Sequence, residues 1–291
     1  MRLVSYSHDN QRSWGAVTSS GMVIDLRTPL ASSGGATLKQ AIENGLIEQA
    51  RTIAESAQPG GVRLEDVSLD PVIPDPGQIL CIGLNYKDHL AETKFAKADH
   101  PTVFARYGRS QIGHRQPILR PVESDMLDYE GELAIVIGRR VRRASEVDAL
   151  SAIAGYSCYN DASVRDFQRH TTQFHPGKNF PATGAFGPWL TTADEIPDPA
   201  ALTIQTRLNG EVMQSATLDQ LIFTIPELIA YCSIFTELLP GDVIVTGTPG
   251  DVGSARKPPV WMKAGDVVEV DIPGVGCLSN PVVDESTGPA A

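Results

Sequence analysis

The stretch Asp128-Tyr129-Glu130-Gly131-Glu132, running directly into Leu133-Ala134-Ile135-Val136-Ile137, constrains this chain more than any other. Its β-branched run predicts a strand. With a side-chain period of two, Glu130 and Glu132 share one face with Ala134 and Val136, while Gly131, Leu133, Ile135 and Ile137 take the other. Apolar residues on both faces imply burial on both sides, which carries the two carboxylates into a dry interior. At roughly 6 Å and an effective dielectric of about 20 the pair repels by ~3 kcal/mol before desolvation, against a domain stability of ~5 to 15 kcal/mol. A shared proton, basic neighbours or a bound divalent cation would offset that repulsion. The cation is the first choice. No cysteine or histidine follows closely, and an all-oxygen set suits Mg2+, Mn2+ or Ca2+ rather than zinc. The alternative is a strand end at which both acids reach water or pair with Arg139, Arg140, Arg142 and Arg143.

At 291 residues the chain can bury a sizeable core, and it is read as one large domain with a smaller one attached. Its net charge of -11 argues against a nucleic-acid or anionic-membrane surface, but leaves open small acidic substrates that need only local arginines. Cys81, Cys158, Cys232 and Cys277 are scattered without CxxC spacing, so they read as reduced buried thiols. The start lacks a signal-peptide pattern and no stretch is long and apolar enough to span a bilayer. A cytoplasmic location is the expectation.

Short strands are expected around Leu3 to Tyr6, Trp14 to Val17 and Met22 to Asp25, then helix from an N-cap at Thr37, kinked at Gly45, to about Ala57. Pro59 to Pro76 reads as a linker, which sets a small N-terminal domain with linker at 1–74 and a catalytic domain at 75–291. Gln78 to Gly83 predicts a strand, followed by a helix from Leu84 to Glu92. On that helix His89 and Glu92, three apart, would meet as a general base and its orienting carboxylate, or simply as a surface pair. Arg106, Arg109 and Arg115 lie in a loop-rich approach and are placed to meet an anion or solvent. A helical reading of Asp161 to Gln168 puts Asp161, Arg165 and Gln168 on one face, a solvated stripe or a site wall. Thr203 to Leu208 and Glu211 to Gln214 flank Asn209-Gly210 as a hairpin, and Ile225 to Phe235 predicts a helix with Pro226 in its first turn. The strand from Gly241 empties into Gly247-Thr248-Pro249-Gly250-Asp251-Val252-Gly253. This turn is neither a P-loop nor GxGxxG, yet it can present N–H groups and the Thr248 hydroxyl to a carboxylate. Two more strands, Gly265 to Ile272 and Gly276 to Val283, precede a tail from about Asp284 that looks loose.

Taken together, Gly83-Leu84-Asn85-Tyr86 with His89 and Glu92, the Asp128 to Glu132 pentapeptide, Asp161 with Arg165 and Gln168, Lys178, Gly187-Pro188, and Gly241-Asp242 to Gly247-Thr248-Pro249 resemble the fumarylacetoacetate hydrolase family over roughly residues 75 to 283. The likeness is to its branch of acylpyruvate hydrolases and 2-hydroxyhepta-2,4-diene-1,7-dioate isomerases. The resemblance implies an α+β, β-rich fold, a mixed β-sheet roll behind a small N-terminal α/β domain, often as a homodimer. It implies that Glu130, Glu132 and Asp161 bind one Mg2+ or Mn2+, with Ca2+ as a substitute, and that His89 with Glu92 activates water on a mobile lid. By the same resemblance Lys178 is an electrophile facing the reacting oxygen, and Arg106, Gln168 and Thr248 contact a small 2-oxo acid substrate.

The sequence departs from the family where Asn85 stands near an extra aspartate of a related branch. It departs also at Gly250-Asp251-Val252-Gly253, at Leu221-Ile222-Phe223 and around Gly177-Lys178-Asn179-Phe180. The favoured expectation is hydrolysis of a C–C bond in an acylpyruvate-like 2,4-dioxo acid, the leaving carbanion being an enolate. Decarboxylation of an oxaloacetate-like acid, or dehydration or isomerisation in aromatic or sugar-acid catabolism, is the alternative. A non-catalytic reading has the acids hold a structural Ca2+.

Overall fold

A computed structural model describes residues 1–57, 60–92 and 98–286. Pro59, at the start of the expected linker, and the last residues of the tail lie outside the described residues. The core is a mixed sheet of twelve strands. The acid-bearing strand, Gly131–Ile137, sits well inside it, antiparallel to Ile153–Asp161 on one side and to Val243–Val245 on the other. Val243–Val245 in turn runs parallel to Ile79–Gly83, which pairs with Thr102–Arg106. All seven residues of Gly131–Ile137 are buried, as the double apolar pattern requires. Its two faces enter different apolar clusters. Leu133, Ile135 and Ile137 pack with Ile204, Val268 and Leu278, while Ala134 and Val136 pack with Ile79, Val243 and Phe186.

The first of those faces is covered by a second sheet of five strands built from the expected hairpin Thr203–Leu208 and Glu211–Thr217, the closing pair Val267–Ile272 and Gly276–Asp284, and Ile118–Arg120. Asn209 and Gly210 both take positive φ, 54° and 83°, the geometry that lets a two-residue turn follow the twist of its strands. The approach of this sheet is close enough to dictate a glycine. A Cβ on Gly131 would lie 2.0 Å from Thr206 Oγ1, so no side chain fits between the two acids on that face.

The segment before residue 75 does not form a sheet of its own. Arg2–His8 pairs with Gly184–Thr192, extending the central sheet through Gln11–Val17 and Met22–Asp25. Helices Leu38–Glu43 and Ile47–Ser56 add Leu38, Ala41, Ile42 and Ala50 to the same apolar cluster as Val243 and Phe186. Thr37 caps the first of these, its hydroxyl accepting from Gln40 N–H at 3.1 Å. Helix Ile225–Phe235 carries the expected Pro226 and a capping box between Thr224 and Glu227.

One histidine of this framework predicts an acid response. His114 Nδ1 accepts from Ser279 N–H at 3.0 Å, and burial, helped by Arg115, lowers its pKa to about 4. Below about pH 6.5 the unfolded chain takes up a proton that the folded chain refuses until about pH 4, so stability present above 6.5 is lost across that interval. Urea melts at a series of pH values should show a shallower loss between 6.5 and 4 for His114→Asn, whose Oδ1 can keep the Ser279 contact. An unchanged slope would remove His114 from the account.

Candidate metal centre and cavity

Glu130 and Glu132 open together onto the floor of a cavity of about 940 Å³, and Asp161 joins them there. Asp161 is the last residue of the strand Ile153–Asp161 and not the start of a helix, because its N–H pairs with Glu130 O at 2.9 Å. That pairing sets the third carboxylate beside the first two. Carboxylate oxygens of the three lie within 4.8 Å of one another, and all three residues are buried. The expected long helix shrinks to one turn, Arg165–Gln168, since Ser163–Val164 pairs with Leu127–Asp128. Arg165 and Gln168 still line the cavity.

Charge at the floor does not balance. Four buried carboxylates, Asp128, Glu130, Glu132 and Asp161, meet three buried cations, Arg106, Arg165 and Lys178. Arg165 holds Asp128 Oδ2 at 2.7 Å through Nε and Glu130 Oε1 at 2.6 Å through Nη1. Lys178 Nζ joins Glu130 and reaches Asp161 Oδ2 at 2.6 Å, and Arg106 pairs with the other oxygen of Asp161. Burial works against the charge on Glu130, but Arg165 and Lys178 outweigh it and hold the pKa at about 2. Burial likewise opposes the Lys178 ammonium, and Asp161 and Glu130 more than restore it. Glu132 forms no ion pair among the described residues; it accepts from the Gly247 N–H and feels Lys178 only as a neighbouring charge. Burial, then Asp161 and Glu130, push its carboxyl well above the usual range. A buried carboxylate short of counter-charge, at ligand spacing from two others, fits a hard divalent cation with oxygen ligands. A second unmet group points the same way for a ligand: buried Arg165 Nη2 has no hydrogen-bond partner among the described residues.

The glycine-rich turn holds these acids in place. Gly247 has φ 107°, and a Cβ there would lie 2.7 Å from Asn85 Cβ, so glycine alone brings its N–H onto Glu132. Asp251 N–H donates to Glu92, and Gly253 and Ser254 N–H groups donate to Asp128 at 2.8 and 2.9 Å. The sequence suggests N–H groups offered to a substrate carboxylate. In the structure these four go to carboxylates of the protein itself.

His89 and Glu92 lie on the helix Lys87–Glu92, which starts three residues later than expected because Leu84 adopts φ 58° and Asn85 is pinned by Phe223 and Thr246. Both residues line the cavity, with His89 Nδ1 3.6 Å from Glu92 Oε2. Burial opposes ionisation of Glu92, but the His89 ring and the Asp251 N–H outweigh it and keep the carboxyl below its ordinary pKa. Lys178, Gln168 and Thr248 also line the cavity, and the Lys178 ammonium stands 5.1 Å from the centre of the Phe104 ring.

Arg106 differs from expectation. It does not line the cavity. Its Nη atoms go to Asp161, Ala162 O and Thr183 Oγ1, so it braces a carboxylate from behind instead of meeting substrate. Sequence reasoning gave no role to Asp128 and left Arg165 as one member of a stripe. The signals were present, since Asp128 opens the acidic pentapeptide and Arg165 shares the pattern of Asp161 and Gln168.

No helix among the described residues is long and apolar enough to cross a membrane. The sequence matches the family described as fumarylacetoacetate (FAA) hydrolase C-terminal over residues 78–283. It is 40% identical to the oxaloacetate tautomerase fahd2, mitochondrial, of Xenopus laevis over 90% of this chain and 83% of that protein. Among solved structures, 5-carboxymethyl-2-hydroxymuconate delta-isomerase from Mycobacterium smegmatis is similar at TM-score 0.76 and 29% identity, covering 99% of this chain and 100% of the other. Maleylpyruvate hydrolase from Sphingobium sp. SYK-6, solved with manganese(II) and pyruvate, is similar at TM-score 0.80 and 27% identity, covering 98% and 100%. Relatives named for a tautomerase, an isomerase and a hydrolase are thus similar to this chain over most of its length, and the chain belongs to the fumarylacetoacetate hydrolase family.

Proposed function

We propose that the protein binds one Mg2+ or Mn2+ through Glu130, Glu132 and Asp161 and interconverts the keto and enol forms of oxaloacetate or a closely similar 2-oxo dicarboxylic acid. The observation that carries this reading is the Glu132 carboxylate, without an ion pair and only partly compensated, beside two others on the cavity floor. Similarity to the Xenopus tautomerase, at 40% identity over most of both chains, supports oxaloacetate ahead of the acylpyruvate suggested by sequence motifs. When bound, the cation supplies Lewis acidity to the ketone and carboxylate oxygens of a 2-oxo acid.

The protein's own groups do the rest. Arg165, which lines the cavity and whose buried Nη2 has no hydrogen-bond partner among the described residues, receives a substrate carboxylate. Glu92 Oε2, 3.6 Å from His89 Nδ1, orients the ring and leaves Nε2 to take the proton from the substrate's C3. Lys178, kept charged by Asp161 and Glu130, gives a proton to the C2 oxygen as charge gathers there. One proton leaves carbon and one arrives at oxygen, so the acid enolises without change of mass.

Hydrolysis of an acylpyruvate remains a second reading, favoured by the cavity. Its 940 Å³ and its wall of Phe104 and Phe174 exceed what a four-carbon acid occupies. In that reaction His89 takes its proton from water, and a carboxylic acid and pyruvate result. The test is to follow the enol absorbance of oxaloacetate with and without Mg2+ while products are identified by mass. We expect Mg2+-dependent equilibration faster than buffer with no loss of mass. Release of CO2, or a carboxylic acid plus pyruvate from an acylpyruvate with no effect on oxaloacetate equilibration, would replace tautomerisation.

A further inference from the structure

A closed ring of hydrogen bonds runs through the backbone N–H and C=O of Gly131, the residue between the two strand acids. Gly131 N–H donates to Gln214 Oε1 at 3.0 Å. Gln214 Nε2 donates to Thr248 Oγ1 at 2.9 Å, and Thr248 Oγ1 donates to Gly131 O at 3.0 Å. The Gln214 amide also donates to Pro249 O at 2.9 Å and reaches Gly250 O at 3.3 Å. Gln214 and Thr248 are buried, and they come from distant parts of the chain, Gln214 from a strand of the covering sheet and Thr248 from the glycine-rich turn after Val243–Val245. The covering sheet closes on Gly131 so tightly that a Cβ there would meet Thr206 Oγ1.

From this ring we infer that Gln214 and Thr248 are positioning residues for the cation site, fixing the spacing of the Glu130 and Glu132 carboxylates through the two peptide groups that flank the Gly131 Cα. The assignment changes what Thr248 can do. Its single proton goes to Gly131 O and one lone pair accepts from Gln214, so the hydroxyl has no proton for a substrate carboxylate. Gln214 cannot be exchanged for a group of like size without loss, because only an amide both accepts from one backbone N–H and donates to a hydroxyl and a carbonyl. Through Pro249 and Gly250 the same amide steadies the turn whose Asp251 N–H holds Glu92. A covering-sheet side chain thereby links the cation site to the His89–Glu92 pair.

The inference rests on the cation site proposed above, and wild-type Mn2+ binding tests that site by itself. The ring is tested by Mn2+ affinity of variants relative to wild type, read by electron paramagnetic resonance without substrate. Gln214→Met and Thr248→Val should each weaken Mn2+ binding by about 10 to 100-fold, the range for residues that orient metal ligands. Because both break one ring, the double variant should be weaker than the poorer single by less than about threefold. Thr248→Ser, which keeps the hydroxyl, should stay within about twofold of wild type and decides the matter if Gln214→Met fails to fold. Unchanged Mn2+ affinity in Thr248→Val with only KM raised would make Thr248 a substrate contact and overturn the inference. Fully additive losses in the double variant, or a lower melting temperature at wild-type Mn2+ affinity, would overturn it as well.

Discussion

Replacing Glu132 with Gln is expected to lower turnover by about 1,000-fold or more while making the metal-free protein harder to melt. The first effect follows from removing one of three ligands, since Lewis-acid stabilisation is worth several kcal/mol and each 1.36 kcal/mol is about tenfold in rate. The second follows from the local charge. Burial, then Asp161 and Glu130, raise the Glu132 pKa, and Lys178, whose ammonium is shared with those two acids, and the Gly247 N–H offset this only in part. A carboxyl whose folded pKa is raised contributes stability below its unfolded value near 4.5 and loses it as the pH rises and ionisation is forced. Gln cannot ionise, and its Oε1 can still accept from Gly247. The chelated variant should therefore gain on the chelated wild type as pH increases, by about 1 to 3 kcal/mol at most, or roughly 2 to 4 °C per kcal/mol. Adding Mn2+ should raise the melting temperature of wild type and leave the variant unmoved. A variant that melts lower than wild type without metal at pH 8 would contradict the charge account.

His89→Gln is expected to reduce kcat by about 100 to 10,000-fold with cation affinity unchanged, the range for a positioned general base. His89 lines the cavity but is not among the carboxylates at ligand spacing, so chemistry and metal binding should separate at this residue. Glu92→Gln should follow in the same direction and by less, because the Asp251 N–H can still anchor an amide oxygen while the charge that favours a protonated imidazole is gone. Rates with saturating Mn2+, measured beside Mn2+ binding isotherms, check both statements. Normal turnover by His89→Gln would remove the His89–Glu92 pair from the chemistry.

How far the sequence carries these conclusions depends on what decides each one locally. The acid strand was legible because a short β-branched run, apolar at every position, requires burial on both faces, and its two faces do enter separate clusters. The hairpin at Asn209-Gly210 was legible for a similar reason, since its turn chemistry is local. Asp161 was not legible from periodicity. Its place depends on the Glu130 O contact across two strands, and only the family resemblance supplied it. Arg106 was misplaced because an arginine in a polar loop gives no sign that Asp161, Ala162 and Thr183 will enclose it. The glycine-rich turn was read correctly as a source of N–H groups, but their partners, Glu132, Glu92 and Asp128, lie in other segments. The continuation of the central sheet into the first strands rests on pairing between Leu3 and Leu190, which no window of sequence contains.

The central claim is that Glu130, Glu132 and Asp161 form one site for a hard divalent cation beneath the cavity. Titration of Mn2+ into wild type and into Glu132→Gln, with bound metal counted by electron paramagnetic resonance, tests it most directly. The account predicts one Mn2+ per wild-type chain, displaced by excess Mg2+, and binding to the variant too weak to saturate under the same conditions. Saturation of the variant at wild-type affinity would contradict it.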